Sequence, residues 1–329
     1  MTGHGGGAER VGGGTAERDG GGTAERVAAI DCGTNSIRLL IADRADGRLT
    51  DLTRQLRIVR LGQDVDRTGR LAPEAIERTR QALADYADAI NAAGATVVRM
   101  AATSATRDAA NRDEFAAMVR GALGVEPEVI SGAEEARLSF VGAVSGLPDA
   151  PSKLLVADIG GGSTELVAGS PGDRASLRAH SMNIGCVRMT ERHLADDPPT
   201  AAQVAGAVAD IDAAIERAAR DVPLAQAGCF VGVAGTVTQL AAVALGLTSY
   251  DPAVIHGATL SAAQVREWTA RLLRLDHAGR VELPAMHPGR ADVITAGALI
   301  LDRLVGAVGA AEVVVSEHDI LDGLAIEAR

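Results

Sequence analysis

Apolar residues in this chain gather in short runs that break on glycine. RVAAIDCGTNSIRLLIADRADGRLTDLTRQLRIVRLG reads as strand, tight turn, strand and further strand, with Asp46-Gly47 as a hairpin signal. The period then changes. Ile76, Leu83, Tyr86 and Ile90 recur at helical spacing from Pro73 to Ala93, and proline suits a first helical position. TVVRMAA predicts a strand and TSATRDAANRD a polar turn. Phe115, Met118, Val119 and Ala122 predict a helix that Gly124 stops, and VEPEVI a short strand. After GLPDAPSK, a proline-containing linker, LLVADIGGGSTELVAG opens a second half. Val204, Val208, Ile211 and Ile215 form another helical face. CFVGVAGTVTQL is strand, glycine turn and helix, PGRADVITAGALILDRL a long helix, and EVVVSEHDILDGLA strand then helix.

The two halves repeat. Asp31 and Asp158, Gly33 and Gly160, and Ser36 and Ser163 all fall 127 residues apart, each set flanked by apolar strands. Gly62 in RLGQ and Gly185 in NIGC hold similar places ahead of a helix. A duplicated α/β unit follows, with a cleft between its copies, where ligand sites concentrate. Residues 1–26 stand outside this plan. GGGAER and two copies of GGGTAER have no hydrophobic face, so a disordered tail is expected, with order from Val27.

Composition removes several functions. Aromatics are 2% of the chain and the formal net charge is −11 without a basic tract, which argues against nucleic-acid binding. Lys153 is the single lysine, so a lysine-dependent P-loop is absent. Cys32, Cys186 and Cys229 are widely spaced and form no CxxC pair. That argues against a disulfide framework or structural zinc and fits a reducing cytoplasm. No apolar run is long enough to span a bilayer.

What remains points to anion chemistry. Strand–DxGxxS–strand turns expose successive amides, and glycine lets a ligand approach closely. The turns around Asp31, Gly33, Thr34, Asn35 and Ser36 and around Gly160, Gly161, Gly162 and Ser163 would face each other across the cleft. The helix start at Gly235 and Thr236 adds further amides. Asp158 and Glu165 would repel phosphate unless a cation lies between, and Mg²⁺ takes one or two carboxylates plus phosphate oxygens. Glu165 also reads as a plain strand residue. Ser131 and Glu134 form an S-x-x-E capping box, which leaves Glu135 free as a helix-dipole partner or a general base. Arg107 is a phosphate clamp or an ion-pair partner of Asp108 or Asp113; Arg188 and Arg290 are arginines of the same kind. His318-Asp319 lacks the further ligands of an HD-type metal site and reads as incidental.

IDCGTNSIRLLIAD, ATSATRDAANRDEF, ISGAEEARLSFVGA, VADIGGGSTELVAG, NIGCVRMTE, GVAGTVTQLAA, HPGRADVITAGALIL and VSEHDILDGLA occur in this order. From Val27 to Ala325 the chain thereby resembles the exopolyphosphatase/guanosine pentaphosphate phosphatase (Ppx/GppA) family of the actin, sugar kinase and heat-shock ATPase superfamily. The resemblance implies two similar ribonuclease-H-like lobes, an actin-like duplication with an interlobe cleft. The lobes would span 27–131 and 132–319, with a C-terminal helix at 320–329 returning to the first. It implies hydrolysis of a terminal phosphoanhydride with Mg²⁺, or Mn²⁺ in its place. Glu135 would be the base, Arg107 a substrate contact, Asp158 and Glu165 the metal carboxylates, and the two glycine turns the phosphate loops. The substrate would be inorganic polyphosphate or guanosine pentaphosphate, unless the chain is a catalytically weak sensor of either. A cytoplasmic homodimer is compatible. Longer family members carry a further helical C-terminal region that this sequence lacks, which bears on processive action and on dimers built through that region.

Overall fold

The computed structural model describes residues 24–147 and 151–329. Residues 1–23 of the glycine-rich tail and Pro148–Ala150 of the linker lie outside the described residues. The first strand starts at Glu25, two residues before the expected Val27.

The first sheet is built from β1 (Glu25–Cys32), β2 (Ser36–Ala45) and β3 (Arg48–Ile58) as an antiparallel meander. Asp46 and Gly47 both take positive φ in the β2–β3 hairpin. A short helix α1 (Val65–Thr68) and the long α2 (Pro73–Ala93) lead to β4 (Val97–Ala102), which pairs parallel with β1. Helix α2 starts on Pro73, buries Leu83, Tyr86 and Ile90, and ends at Gly94 in the left-handed region. The expected polar turn after β4 is instead a short helix, α3 (Ser104–Asp108), because Thr103, Ser104 and Thr106 are buried and the Arg107 amide bonds the Thr103 carbonyl. Helix α4 (Arg112–Leu123) and the two-residue β5 (Glu128–Val129) finish the unit.

After α5 (Gly132–Ser145) the pattern recurs. Strands β6 (Leu154–Ile159), β7 (Thr164–Ser170) and β8 (Asp173–Met182) form a second meander, followed by α6 (Cys186–His193) and α7 (Ala201–Ala218). Strand β9 (Cys229–Val233) pairs parallel with β6 and runs into α8 (Ala234–Ala244). Next come α9 (Pro252–Ile255), β10 (Thr259–Ser261), α10 (Ala262–Arg274), α11 (His277–Val281) and α12 (Ile294–Val308). Strand β11 (Glu312–Val315) and α13 (Ile320–Ile326) complete the chain. The helix expected from Pro288 starts only at Ile294, after a single turn at Pro288–Arg290.

The strand orders are β3-β2-β1-β4-β5 and β10-β11-β9-β6-β7-β8. Without the edge strand β10, the second matches the first strand for strand. The molecule is therefore two similar ribonuclease-H-like lobes, an actin-like duplication. Among the described residues no helix is long and apolar enough to cross a membrane.

Strand alternation decides what each sheet face covers. On β1, Ala28, Ile30 and Cys32 enter the core with α2 and α4, while Val27 and Ala29 pack under α13. On β6, Leu155, Ala157 and Ile159 join the large second core, while Leu154 and Val156 pack under α5. Helices α5 and α13 cross each other closely: a Cβ on Gly142 would fall 1.7 Å from the Asp319 carbonyl oxygen, and one on Gly323 2.1 Å from that of Leu138.

Candidate active site

The same alternation places the carboxylates. Asp31 follows Ala29 on the α13 face of β1, and Asp158 follows Val156 on the α5 face of β6. Both stand at the C-terminal ends of central strands, where open α/β sheets place ligands. The two glycine turns then meet. A Cβ on Gly161 would sit 2.8 Å from Thr34 Cβ, and one on Gly162 2.5 Å from Ser104 Oγ. Between the turns is a cavity of about 70 Å³, lined by Asp31, Gly33–Ser36, Glu135, Asp158, Gly160–Ser163, Gly235 and Thr236 among others. At roughly 10–15 Å³ per water-sized group, that is the scale of one phosphoryl group.

The second turn has a definite polarity. The Gly160 carbonyl accepts from the Cys186 amide at 2.9 Å, and that of Gly161 from the amides of Val187 at 2.9 Å and Arg188 at 3.1 Å. Arg188 Nε donates to the Gly162 carbonyl at 2.7 Å. In trans peptides the N–H points opposite to the preceding C=O. With three carbonyls turned onto α6, the amides of Gly161, Gly162 and Ser163 point the other way, toward the cavity. Ala234, at the start of α8, holds φ +66° on the cavity wall, a strained value for alanine.

Glu135 is buried on the first turn of α5, and Arg107 Nη1 donates to its Oε2 at 2.9 Å and to the Ile130 carbonyl at 3.1 Å. Burial pushes Glu135 up to about 7 against the pull of Arg107. Asp158 accepts from Ser139 Oγ and is also pushed up to about 7, first by burial and then by Asp319. Glu165 stands directly opposite Asp158 in the antiparallel register, so their side chains share a face. Its Oε1 accepts from Ser181 Oγ at 2.7 Å, and burial, with Glu135 and Asp158 nearby, pushes it well above the usual carboxylate range.

Two assigned residues do not reach the cavity wall. Glu165 stands beside Asp158 on the neighbouring strand and does not line the cavity. Arg107 pairs with Glu135, not with Asp108 or Asp113, and meets the cavity through that carboxylate. Ser131 caps α5 by accepting from the Glu134 amide, but the Glu134 carboxylate goes to Arg137 at 2.7 Å rather than closing the capping box.

Other residues arrive unforeseen. Arg38 follows Ser36 on β2, donates to Asp31 Oδ2 at 2.6 Å and pairs with Asp319, whose Oδ1 caps α13 through the Leu321 amide. His318-Asp319 is thus part of the site's frame: Asp319 faces Arg38, and His318 Nδ1 lies 2.9 Å from Asp322. An arginine at the same-face position two residues after a turn serine was the available signal for Arg38. Thr103, Ser104 and Cys186 also line the cavity. Arg290 lies so close to Gly235 that a Cβ there would fall 1.9 Å from Nη1. Among the described residues no carboxylate pairs with Arg290, and burial lowers its pKa. Arg38, Arg290, Ala234 and Gly235 also border a second cavity of about 650 Å³.

The donor set suits a hard divalent cation, because the acidic groups offer oxygen and Asp31 Oδ1 is buried without a hydrogen-bond partner. Among the described residues no three acidic, histidine or cysteine side chains enclose an ion by themselves. That is compatible with Mg²⁺, which usually keeps waters and substrate oxygens.

Residues 40–327 match the model of the Ppx/GppA phosphatase family. Exopolyphosphatase 2 of Mycobacterium tuberculosis strain H37Rv is 51% identical over 92% of this chain and 98% of its own. The crystal structure of an exopolyphosphatase-like protein is 46% identical over 92% of this chain and 97% of its own, with a TM-score of 0.88. A Ppx/GppA family member from Aquifex aeolicus is 31% identical over 92% of this chain and 97% of its own, with a TM-score of 0.76.

Proposed function

The chain belongs to the Ppx/GppA phosphatase family, and on that premise we propose that it is an exopolyphosphatase, a phosphoanhydride hydrolase that releases orthophosphate from the ends of inorganic polyphosphate. One observation carries the reading: a cavity of one-phosphoryl size between two glycine turns, with the Glu135 carboxylate on its wall. The terminal phosphate sits between the turns, held by the amides of Gly161, Gly162 and Ser163 and by the Asp31–Ser36 turn. Glu135 orients a water and takes its proton as the water attacks phosphorus. Arg107 holds that carboxylate in place and favours its ionised form. Arg290 faces the phosphate behind the scissile bond. Asp158, with Glu165 beside it, would hold Mg²⁺ or Mn²⁺, which when bound supplies charge neutralisation on the phosphate oxygens. The rest of catalysis is positioning and electrostatics.

The 650 Å³ cavity favours a second reading, a guanosine pentaphosphate 5′-phosphohydrolase. Leu56, Tyr250, Pro252, Met286 and Leu321 give this space an apolar lining suited to a nucleoside, beside Arg290. The test is phosphate release from short polyphosphate, long polyphosphate, guanosine pentaphosphate and ATP side by side, with and without Mg²⁺. Release from polyphosphate in preference to both nucleotides supports the first reading, and release from guanosine pentaphosphate alone the second. Preference for ATP over all others would sink both.

A further inference from the structure

Arg188 stands on α6, outside the phosphate cavity, with its side chain 11% exposed. All three guanidinium nitrogens are engaged. Nε donates to the Gly162 carbonyl at 2.7 Å, Nη1 pairs with Asp66 on α1, and Nη2 donates to Asp108 Oδ2 at 2.5 Å and Ser104 Oγ at 3.3 Å. One end of this fork grips the second lobe's glycine turn. The other grips α3 of the first lobe, the same short helix that carries Arg107, the partner of Glu135.

We propose that Arg188 is a positioning residue that couples the phosphate turn to the base. It turns the Gly162 carbonyl outward, which aims the Ser163 amide at the cavity, and it anchors α3 so that Arg107 meets Glu135. A guanidinium is required because three directions must be served at once, and an ammonium presents no such fork. Four of its five N–H donors are spent on groups of the protein itself, so its effect on turnover passes through Gly162 and Asp108. This inference rests on the proposed hydrolase activity.

The test compares wild type with Arg188→Ala and Arg188→Lys. Both variants are expected to lose kcat on the order of tenfold to a hundredfold, the scale of ångström-level misplacement, with KM changed by a smaller factor. Guanidinium chloride at millimolar concentration is expected to restore kcat severalfold in Arg188→Ala, while potassium chloride at equal ionic strength does not. Small-angle scattering should give a larger radius of gyration for Arg188→Ala, since a brace between lobes is gone. A kcat within twofold of wild type, or a fall that guanidinium leaves unrestored, overturns the proposal. Should wild type release phosphate from none of the substrates, the hydrolase reading falls by itself. The brace is then judged on the scattering alone, where an unchanged radius overturns it.

Discussion

Replacing Glu135 by Gln should inactivate the protein and make it more stable, both for one reason. Gln keeps the length and an oxygen that accepts from Arg107, but it removes the charge. That charge costs the fold free energy: the carboxyl moves from 4.5 to about 7 despite the ion pair with Arg107. A folded-state pKa above the unfolded one means that the native state binds the proton more tightly. Stability from this group is fully present below pH 4.5 and is lost as pH rises toward 7. At about 1.4 kcal/mol per tenfold, the loss above pH 7 is about 3 kcal/mol. The Glu135 charge also raises Asp158 and Glu165, so this figure is a ceiling for Glu135. Urea unfolding followed by circular dichroism, without added divalent cation, should place Glu135→Gln above wild type at pH 8, with the gap closing by pH 5. Phosphate release should fall by at least about a hundredfold, the usual contribution of a general base. A variant less stable than wild type at pH 8, or one with wild-type kcat, would refute this account of the site.

Asp158→Asn is expected to raise the Mg²⁺ concentration needed for half-maximal activity by tenfold or more, measured by metal titration, while leaving the fold intact by circular dichroism. Gly185→Ala would put a Cβ 2.4 Å from the Gly161 carbonyl oxygen. It should displace the second glycine turn and cut kcat/KM by about tenfold or more, in line with the cost of misplaced groups. Gly142→Ala would force α5 away from the Asp319 carbonyl at 1.7 Å and should cost about 1–3 kcal/mol or more in denaturant unfolding, as overpacked sites do.

The β-rich duplication was readable because it needs only local information. Apolar strands around a glycine turn repeat at a fixed offset, and the turn residues Asp31, Gly33 and Ser36 recur with them. Pro73 marked the start of α2 and Gly124 the end of α4 because their backbone preferences act at one position each. The arginines were not readable in this way. An arginine side chain reaches several directions, and its partner is fixed only when distant elements pack. Arg107 has acidic neighbours in sequence yet pairs with Glu135. Arg188 resembles a phosphate clamp yet spends its donors on Asp66, Asp108 and a backbone carbonyl. Asp319 follows a histidine in what reads as a chance pair, and its contact with Arg38 spans 281 residues. The unexpected helix at Ser104–Asp108 has a similar origin in part, since Ser104 is covered by the opposite lobe's turn at Gly162.

The closing of that long contact has a consequence for synthesis. Helix α13 covers the α13-facing residues of β1 and β2 and brings Asp319 to Arg38. At about 5–20 residues per second of translation, the partner of Arg38 is made tens of seconds after Arg38 itself. During that interval the first sheet stands with Val27, Ala29, Leu40 and Ala42 uncovered. The catalytic cavity then assembles as one of the last events of folding, so a nascent chain carrying both glycine turns already exposes a sticky sheet face but cannot yet hydrolyse anything.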